Sequence, residues 1–207
     1  TSLTTLAGSG NQIITLATAV SGLSINLGDG ACDQITLAAG GNTVTVTGGV
    51  ETITGGTGND NVTLSASNDA IVATSGTGAA DVLTLGGAAR VILGDAWDTV
   101  IGSSGNDTIT GSVGANDNIQ AGSGGNDLFL FAGGDLTAND TIRAGSGADI
   151  VAITSTGNAD LSNVTGVETL RFDAAMNNTT VTFGAGSNIP TSLTTLAGSG
   201  NQIITLA

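Results

Sequence analysis

Apolar and polar residues alternate along most of the chain in very short stretches, which are separated by segments rich in Gly, Asn and Asp. Residues 43–45, 52–54 and 108–110 each place one β-branched aliphatic residue between two threonines. Because side chains alternate across a strand, the central aliphatic residue is expected to face a core and its neighbours to face outward. The pattern therefore predicts an all-β chain of many short strands joined by turns.

A polar residue recurs every nine positions, and an apolar residue follows each one two places later. The regular part of this series has Asp33, Asn42, Glu51, Asp60 and Asp69, followed by Ile35, Val44, Ile53, Val62 and Ile71. With small insertions it continues through Asp81, Asp98, Asp107, Asp117, Asp127, Asp140 and Asp149, followed by Leu83, Val100, Ile109, Ile119, Phe129, Ile142 and Val151. Arg90, followed by Ile92, is interpreted as the one position of opposite charge.

Two nine-residue repeats predict one coil of about 18 residues, so the chain is expected to form a right-handed parallel β-roll or β-solenoid. Successive polar residues would then alternate between two edges of the stack. The apolar residues would form files along a thin core. We expect large aromatic side chains not to fit such a core, in keeping with an aromatic content of only 2%.

The charge balance limits the partners of the chain. There are 17 acidic residues against three arginines, giving a formal net charge of −14. Nucleic acid and anionic lipid are poor partners for such a surface. No apolar stretch is long enough for a transmembrane helix. With no His, Lys or Tyr and a single Cys32, the usual catalytic bases and nucleophiles are scarce, so we predict that the chain is not an enzyme.

Glycines precede the acidic residues at fixed offsets. Residues 55–63 read Gly-Gly-Thr-Gly-Asn-Asp-Asn-Val-Thr and fit the nonapeptide G-G-x-G-x-D-x-U-x completely, whereas residues 102–110 lack only the second glycine. This pattern resembles the RTX, or haemolysin-type, calcium-binding repeats over residues 28–153. Residues 127–131, 140–142 and 147–151 resemble the less regular segment that commonly closes an RTX block.

The acidic edges favour a calcium site. Stacked turns would bring like charges together, and calcium accepts six to eight oxygens from carboxylates and backbone carbonyls. The resemblance implies calcium ions between successive turns, held by the motif aspartate and loop carbonyls. The predicted ligands are Asp60, Asp69, Asp98, Asp107, Asp117, Asp127 and Asp149, with Gly55, Gly56, Gly58, Gly102, Gly105, Gly124, Gly145 and Gly147. The alternative is that Asn-Asp pairs close the turns through their side chains with no ion.

A second, longer period runs through the chain. The segment at positions 1–17 recurs unchanged at positions 191–207, which predicts near-identical tandem units in a larger polypeptide. We therefore divide the chain into a solenoid flank that starts the unit (1–27), a calcium-binding β-roll (28–153), a less regular solenoid flank (154–190) and the start of the next unit (191–207).

These features predict a structural repeat of a secreted bacterial filament, surface layer or adhesin stalk that calcium stabilises. The expected partners are other copies of the repeat, end to end or laterally, and surface glycans. One alternative is a β-solenoid that binds ice or polysaccharide through outward Thr-x-Thr rows. Another is an enzyme, because parallel β-helices also host polysaccharide-cleaving activities.

Overall fold

The computed structural model describes residues 2–4, 10–28, 32–49, 52–65, 71–73, 80–96, 98–114, 116–173, 179–185, 187, 190, 192–195 and 202–206. These residues form short strands and no α-helix, so none of them belongs to a helix that could cross a membrane. The polar and turn-rich sequence explains the strand length, because Gly, Asn and Asp interrupt each apolar stretch after a few residues.

The strands are described in chain order. They are β1 Ser2–Thr4, β2 Ile13–Thr15, β3 Leu23–Asn26, β4 Gln34–Thr36, β5 Thr43–Thr47, β6 Thr52–Thr54, β7 Asn61–Leu64, β8 Ile71–Ala73, β9 Val82–Thr84, β10 Arg90–Ile92 and β11 Thr99–Ile101. They continue with β12 Thr108–Thr110, β13 Asn118–Gln120, β14 Leu128–Phe131, β15 Thr141–Arg143, β16 Ile150–Ile153, β17 Ala159–Asp160, β18 Val164–Thr165, β19 Thr169–Phe172, β20 Thr179–Phe183, β21 Ser192–Thr195 and β22 Gln202–Leu206.

The strands stack into parallel sheets that face each other across a narrow core. Within the described ranges, the first sheet has the order β1-β3-β5-β7-β9-β11-β13-β15-β18, and the second has β2-β4-β6-β8-β10-β12-β14-β16-β19-β21. A third sheet, β17-β20-β22, forms towards the carboxyl end. Neighbours in a sheet differ by two in strand number over most of the stack, as expected when the chain crosses once between the sheets in each half-coil. The predicted all-β parallel solenoid is confirmed.

The coil is longer on average than the sequence predicts. The mean is about 21 residues per turn. The regular nonapeptides keep the predicted length, since Gln34 of β4 pairs with Thr52 of β6. Later coils are longer, and Thr169 of β19 pairs with Ser192 of β21. The extra residues lie in the turns, where insertions do not disturb strand pairing.

The predicted inward positions form the core over most of the stack. The side chains two places after the polar series are buried with exposures of at most 2% at these described positions: Ile35, Val44, Ile53, Val62, Leu83, Val100, Ile109, Ile119, Phe129, Ile142 and Val151. Each pairs in register with a residue of a neighbouring coil, as Val100 does with buried Ile119. This uniform phase follows from the two-residue period of strands, since a slip of one residue would turn every side chain to the opposite face.

Two predicted positions of the series are wrong by one residue. Val91, and not Ile92, pairs with Ile109 and is fully buried, so Ala89 occupies the place assigned to Arg90, whose side chain is exposed. The nine-residue count failed there because the half-coil from Leu83 to Val91 has eight residues, one fewer than the regular repeat.

The second error has the opposite cause, because the half-coil from Val62 to Val72 has ten residues, one more than the regular repeat. Ile53 pairs with Val72 of β8, and the predicted partner Ile71 takes the adjoining register position. Asp69 lies outside the described residues.

The core accepts aromatic side chains, contrary to the prediction. Phe129, Phe131 and Phe172 are at most 1% exposed, and Phe183 is also buried. Room is made locally, because a Cβ atom at Gly111 would overlap the ring of Phe131. A small residue in one coil therefore compensates for a large residue in the next.

Candidate metal centre

The polar residues form two files, one at each edge of the stack. The first file contains Asn42, Asp60, Asp81, Asp98, Asp117 and Asp140, and each precedes a strand of the first sheet. The second file contains Asp33, Asp107, Asp127, Asp149 and Glu168, and each precedes a strand of the second sheet. The asparagine and all the aspartates of both files are at most 2% exposed. Strand pleat explains this burial, because a residue two places before an inward side chain points to the same side.

One carboxylate oxygen of each aspartate binds the preceding coil. In the first file, the backbone N–H of Asp60 donates to Oδ1 of Asp81 at 2.7 Å, and that of Asp81 donates to Oδ1 of Asp98 at 3.0 Å. The contact repeats in the second file, where the Asp107 N–H donates to Oδ1 of Asp127 at 2.8 Å. Each aspartate thus ties its own turn to the previous one.

The second oxygen differs between members of the files. Oδ2 of Asp60 accepts the N–H of Gly56 at 3.0 Å, and Oδ2 of Asp107 accepts that of Ser103 at 3.3 Å, from four positions earlier in each case. By contrast, Oδ2 of Asp117, Asp127 and Asp149 is buried and has no hydrogen-bond partner among the described residues. A buried carboxylate oxygen without a partner is costly, so these three atoms point to a ligand.

Asn42 shows what such a ligand contacts. Its Nδ2 donates to the carbonyl oxygens of Ala38 and Gly40 and to Oδ1 of Asp60, each at 2.8 Å. One positively polarised atom therefore lies among two turn carbonyls and a carboxylate from the next coil. Where an aspartate replaces this asparagine, no amide is available, and a cation can take over the contacts.

Burial makes several of the carboxylates poor acids when no ion is bound. Desolvation raises the pKa of Asp117 to about 8 and that of Asp127 to about 7, with neighbouring carboxylates adding to the rise. Desolvation also raises the pKa of Asp81 and Asp107 to about 6, and the pKa of Asp149 is raised for the same reason. Charge on these groups is unfavourable unless a cation neutralises it.

Glycines allow the turns to stack closely. A Cβ atom at Gly56 would overlap the carbonyl oxygen of Ala38, and one at Gly147 would overlap that of Gly125. Gly58 has a φ of 140°, which L side chains rarely adopt. Gly124 differs, because the nearest atom to its Cβ would be 3.9 Å away. Most motif glycines are therefore required by the contact between turns.

The predicted ligands that the structure describes lie at the expected edges. Asp60, Asp98 and Asp117 share the first file, and Asp107, Asp127 and Asp149 share the second. Their motif glycines lie in the turns immediately before them. Within the described ranges, no three His, Cys, Asp or Glu side chains converge, so an ion here would depend largely on backbone carbonyls.

Sequence reasoning missed two features of the site. Glu168 ends the second file, since its Oε2 accepts the Asp149 N–H at 2.8 Å. Asn42 belongs to the predicted polar series, but the contacts of its amide with two turn carbonyls and with Asp60 depend on the turn geometry, which the sequence does not specify.

The fold and the two files define a parallel β-solenoid whose turns form metal-binding repeats. The RTX calcium-binding nonapeptide repeat family matches the chain in four copies, over residues 45–78, 93–128 and 135–152. The chain thus carries RTX repeats, and calcium is the ion that these repeats bind. No curated protein and no solved structure matches the chain.

The described residues fit calcium. The partnerless Oδ2 atoms supply hard anionic oxygens, and at the corresponding place in the first file the carbonyls of Ala38 and Gly40 reach Nδ2 of Asn42. Calcium, when bound, would supply the positive charge that two stacked carboxylates lack.

Proposed function

We propose that the chain is a structural repeat of a secreted bacterial filament, surface layer or adhesin stalk, which calcium makes rigid outside the cell. The observation that carries the proposal is the partnerless, buried Oδ2 of Asp117, Asp127 and Asp149, whose Oδ1 atoms are hydrogen-bonded to the preceding coil. RTX repeats belong to secreted bacterial proteins. In a calcium-poor cytoplasm the carboxylates at the edges of the solenoid would lack a neutralising ion. After export they would bind calcium, which would stabilise the folded repeat outside the cell.

The proposed ligands follow the files. We assign the carboxylates of Asp117, Asp127 and Asp149 as the strongest, because their second oxygen has no competing donor in the described residues. The other proposed carboxylate ligands among the described residues are Asp60, Asp98 and Asp107. A backbone N–H of the same turn already donates to Oδ2 of each, so that oxygen would be shared with calcium or would bind it more weakly. The carbonyls would come from the turns that contain Gly55, Gly56, Gly58, Gly102, Gly105, Gly124, Gly145 and Gly147.

Neither alternative has comparable support. For recognition of ice or polysaccharide, Thr-x-Thr rows must align on neighbouring strands. The row on β5 meets Asn61 on β7, and the row on β6 meets the positions of Ile71 and Ala73 on β8. For catalysis, the acidic residues of the two files are explained by the packing of the turns.

Far-ultraviolet circular dichroism tests the proposal. The chain is stripped of metal with a chelator and titrated with calcium, with magnesium as the control. A cooperative gain of β signal that is selective for calcium is expected. A β signal that neither chelation nor calcium changes would overturn the proposal.

The variant Asp127→Asn has a matched control in Asp160→Asn. The first removes a proposed ligand and should weaken calcium binding at least tenfold, as measured by calorimetry. The second makes the same change at an aspartate that belongs to neither file, where asparagine keeps the contact of Oδ1 with the Ser162 N–H, and it should leave binding unchanged. Equal affinities for both variants would contradict the ligand assignment.

A further inference from the structure

We infer that consecutive copies of this unit join into one uninterrupted solenoid, with a strand register across the junction that the repeated segment specifies. The inference deepens the proposed function and rests on it, since it concerns how the structural repeats connect. The segment occurs twice in the chain, at 1–17 and 191–207. Each copy pairs with a different neighbour, and together the two copies show both sides of the junction.

The carboxyl-terminal copy shows how the segment follows a unit. Its strand β21 pairs with β19, with Leu193 opposite Leu170. Its strand β22 pairs with β20, with Ile204 opposite Val181. Leu170 and Val181 are at most 1% exposed, so both of the strands that receive the segment present inward residues at these register positions.

The amino-terminal copy shows how the same segment precedes a unit. Leu3 of β1 pairs with Ile25, which is fully buried. Ile14 of β2 pairs with Ile35, which is 1% exposed. The segment therefore has an inward residue of the following unit opposite the third and fourteenth positions.

The two sets of pairings agree in phase. Because position 191 repeats position 1, Leu193 corresponds to Leu3 and Ile204 to Ile14. In the joined rod, the leucine of the segment would lie between Leu170 and Ile25, and its isoleucine would lie between Val181 and Ile35. All four flanking residues are buried, so both files would stay on the inner side of the junction. This agreement holds for both strands of the segment. It supports the register, since a shift of one residue in either strand would turn that strand's inward side chains outward.

The exposure of Leu3 is consistent with a further coil packing against it from the preceding unit. Its side chain is 41% exposed, although it stands in register above a fully buried residue. In the joined rod, the coil containing Leu170 of the preceding unit would lie on this leucine. Hydrogen bonding also continues, since the Gln12 N–H donates to Oδ1 of Asp33 at 2.8 Å and starts the second file anew in each unit.

The junction moves each sheet to a new neighbour. The segment extends the second sheet through β21 in one copy, but it begins the first sheet through β1 in the other. The second sheet of one unit thus becomes the first sheet of the next, and the third sheet becomes the second. Among the described residues, the first sheet of the unit has β18 as its last strand. The partner is therefore a covalently linked copy, because one copy of the segment would pair with the end of one unit and with the start of the next.

Small-angle X-ray scattering of a two-unit chain, positions 1–190 followed by 1–207, tests the inference in calcium. The second sheet has nine strands from β2 to β19 before the segment recurs. At a strand spacing of about 4.8 Å, the rod should lengthen by roughly 43 Å over the single-unit chain, with an unchanged cross-section. A broad, flexible distance distribution would overturn the inference.

Two variants at the junction copy sharpen the test. Leu193→Asp changes the position that pairs with buried Leu170, and it should abolish the rigid gain in length while each unit keeps its calcium-dependent circular dichroism. Thr194→Asp changes the next position, which pairs with Arg171, and should leave the rod intact. Identical scattering from both variants would contradict the register.

Failure of this inference is distinguishable from failure of the proposed function. If the single-unit chain gains no β signal with calcium, the proposed function fails. If that chain folds with calcium but the two-unit chain is flexible, the units behave as separate rods and only the junction is wrong.

Discussion

Replacing Asp117 by asparagine should stabilise the calcium-free protein at neutral pH while weakening calcium binding. Oδ1 of Asp117 accepts the N–H of Asp98 at 3.2 Å, and its Oδ2 has no partner among the described residues. An asparagine keeps the first contact and removes the buried charge. Asn42 demonstrates that an amide fits the corresponding place in the same file.

The magnitude follows from the raised pKa. Burial raises the pKa of Asp117 from 3.8 to about 8, which at about 1.4 kcal/mol per tenfold change in proton affinity disfavours folding by at most about 5 kcal/mol near pH 7.5. If Nδ2 of the new asparagine has no acceptor, the cost of this buried, unpaired donor reduces the gain by about 1–3 kcal/mol. The expected net gain in the free energy of unfolding is therefore about 2–4 kcal/mol, from the arithmetic of these two terms.

Both the size and the sign of the effect depend on pH, because the charge term vanishes in acid while the cost of the orphaned amide donor remains. Protonated Asp117 contributes its stability fully below the unfolded pKa of 3.8 and loses it as the pH rises through about 8. The asparagine is neutral throughout. The advantage of Asp117→Asn should thus be largest above about pH 7.5. Near pH 4 the charge term falls to about 0.6 kcal/mol, so an orphaned amide would leave Asp117→Asn less stable than wild type.

The difference in stability between Asp117→Asn and wild type is measured by urea unfolding after exhaustive chelation. Circular dichroism follows the unfolding near pH 7.5 and near pH 4. The control is Asp140→Asn, because Oδ2 of Asp140 accepts both the N–H and the hydroxyl of Thr137, at 2.7 and 3.0 Å. An amide there would face donors, so this variant should lose about 1–3 kcal/mol at either pH. A calcium-free Asp117→Asn protein that is no more stable than wild type near pH 7.5 would refute the reasoning.

Two further predictions concern the packing of the coils. Gly147→Ala should lower the free energy of unfolding by at least about 2 kcal/mol in calcium, because its Cβ would overlap the Gly125 carbonyl, whereas Gly124→Ala should change it by less than about 0.5 kcal/mol. Phe131→Ala should cost about 3–5 kcal/mol by urea unfolding, and adding Gly111→Ala to it should recover part of this loss by filling the vacated space. A double variant no more stable than Phe131→Ala alone would show that the two sites do not share a cavity.

The repeated pattern predicted the inward residues where its period was regular. Ile35, Ile53 and Ile109 lie in the core as predicted, because alternation across a strand is a local property of the backbone. The prediction failed at Arg90, because the half-coil before it is one residue shorter than the regular repeat. Turns of different length join the same pair of strands, so counting residues cannot place a strand after an irregular turn.

The metal edges were predictable as edges but not as individual sites. The glycine and aspartate spacing identified the two files and their RTX character. Which carboxylates lack partners depends on the donors in each turn, as the contrast between Asp107 and Asp127 shows. Those donors are backbone groups whose directions the sequence does not specify.

The sequence by itself determined the class of fold, the calcium-binding character and the repetition of the unit, since all three follow from local periodicity and from identity between segments. Only the tertiary structure decided coil length, aromatic packing and the pairing of the repeated segment. These depend on which coils come into contact. That contact is set by the sum of turn lengths and side-chain volumes across neighbouring coils, and no single repeat contains this information.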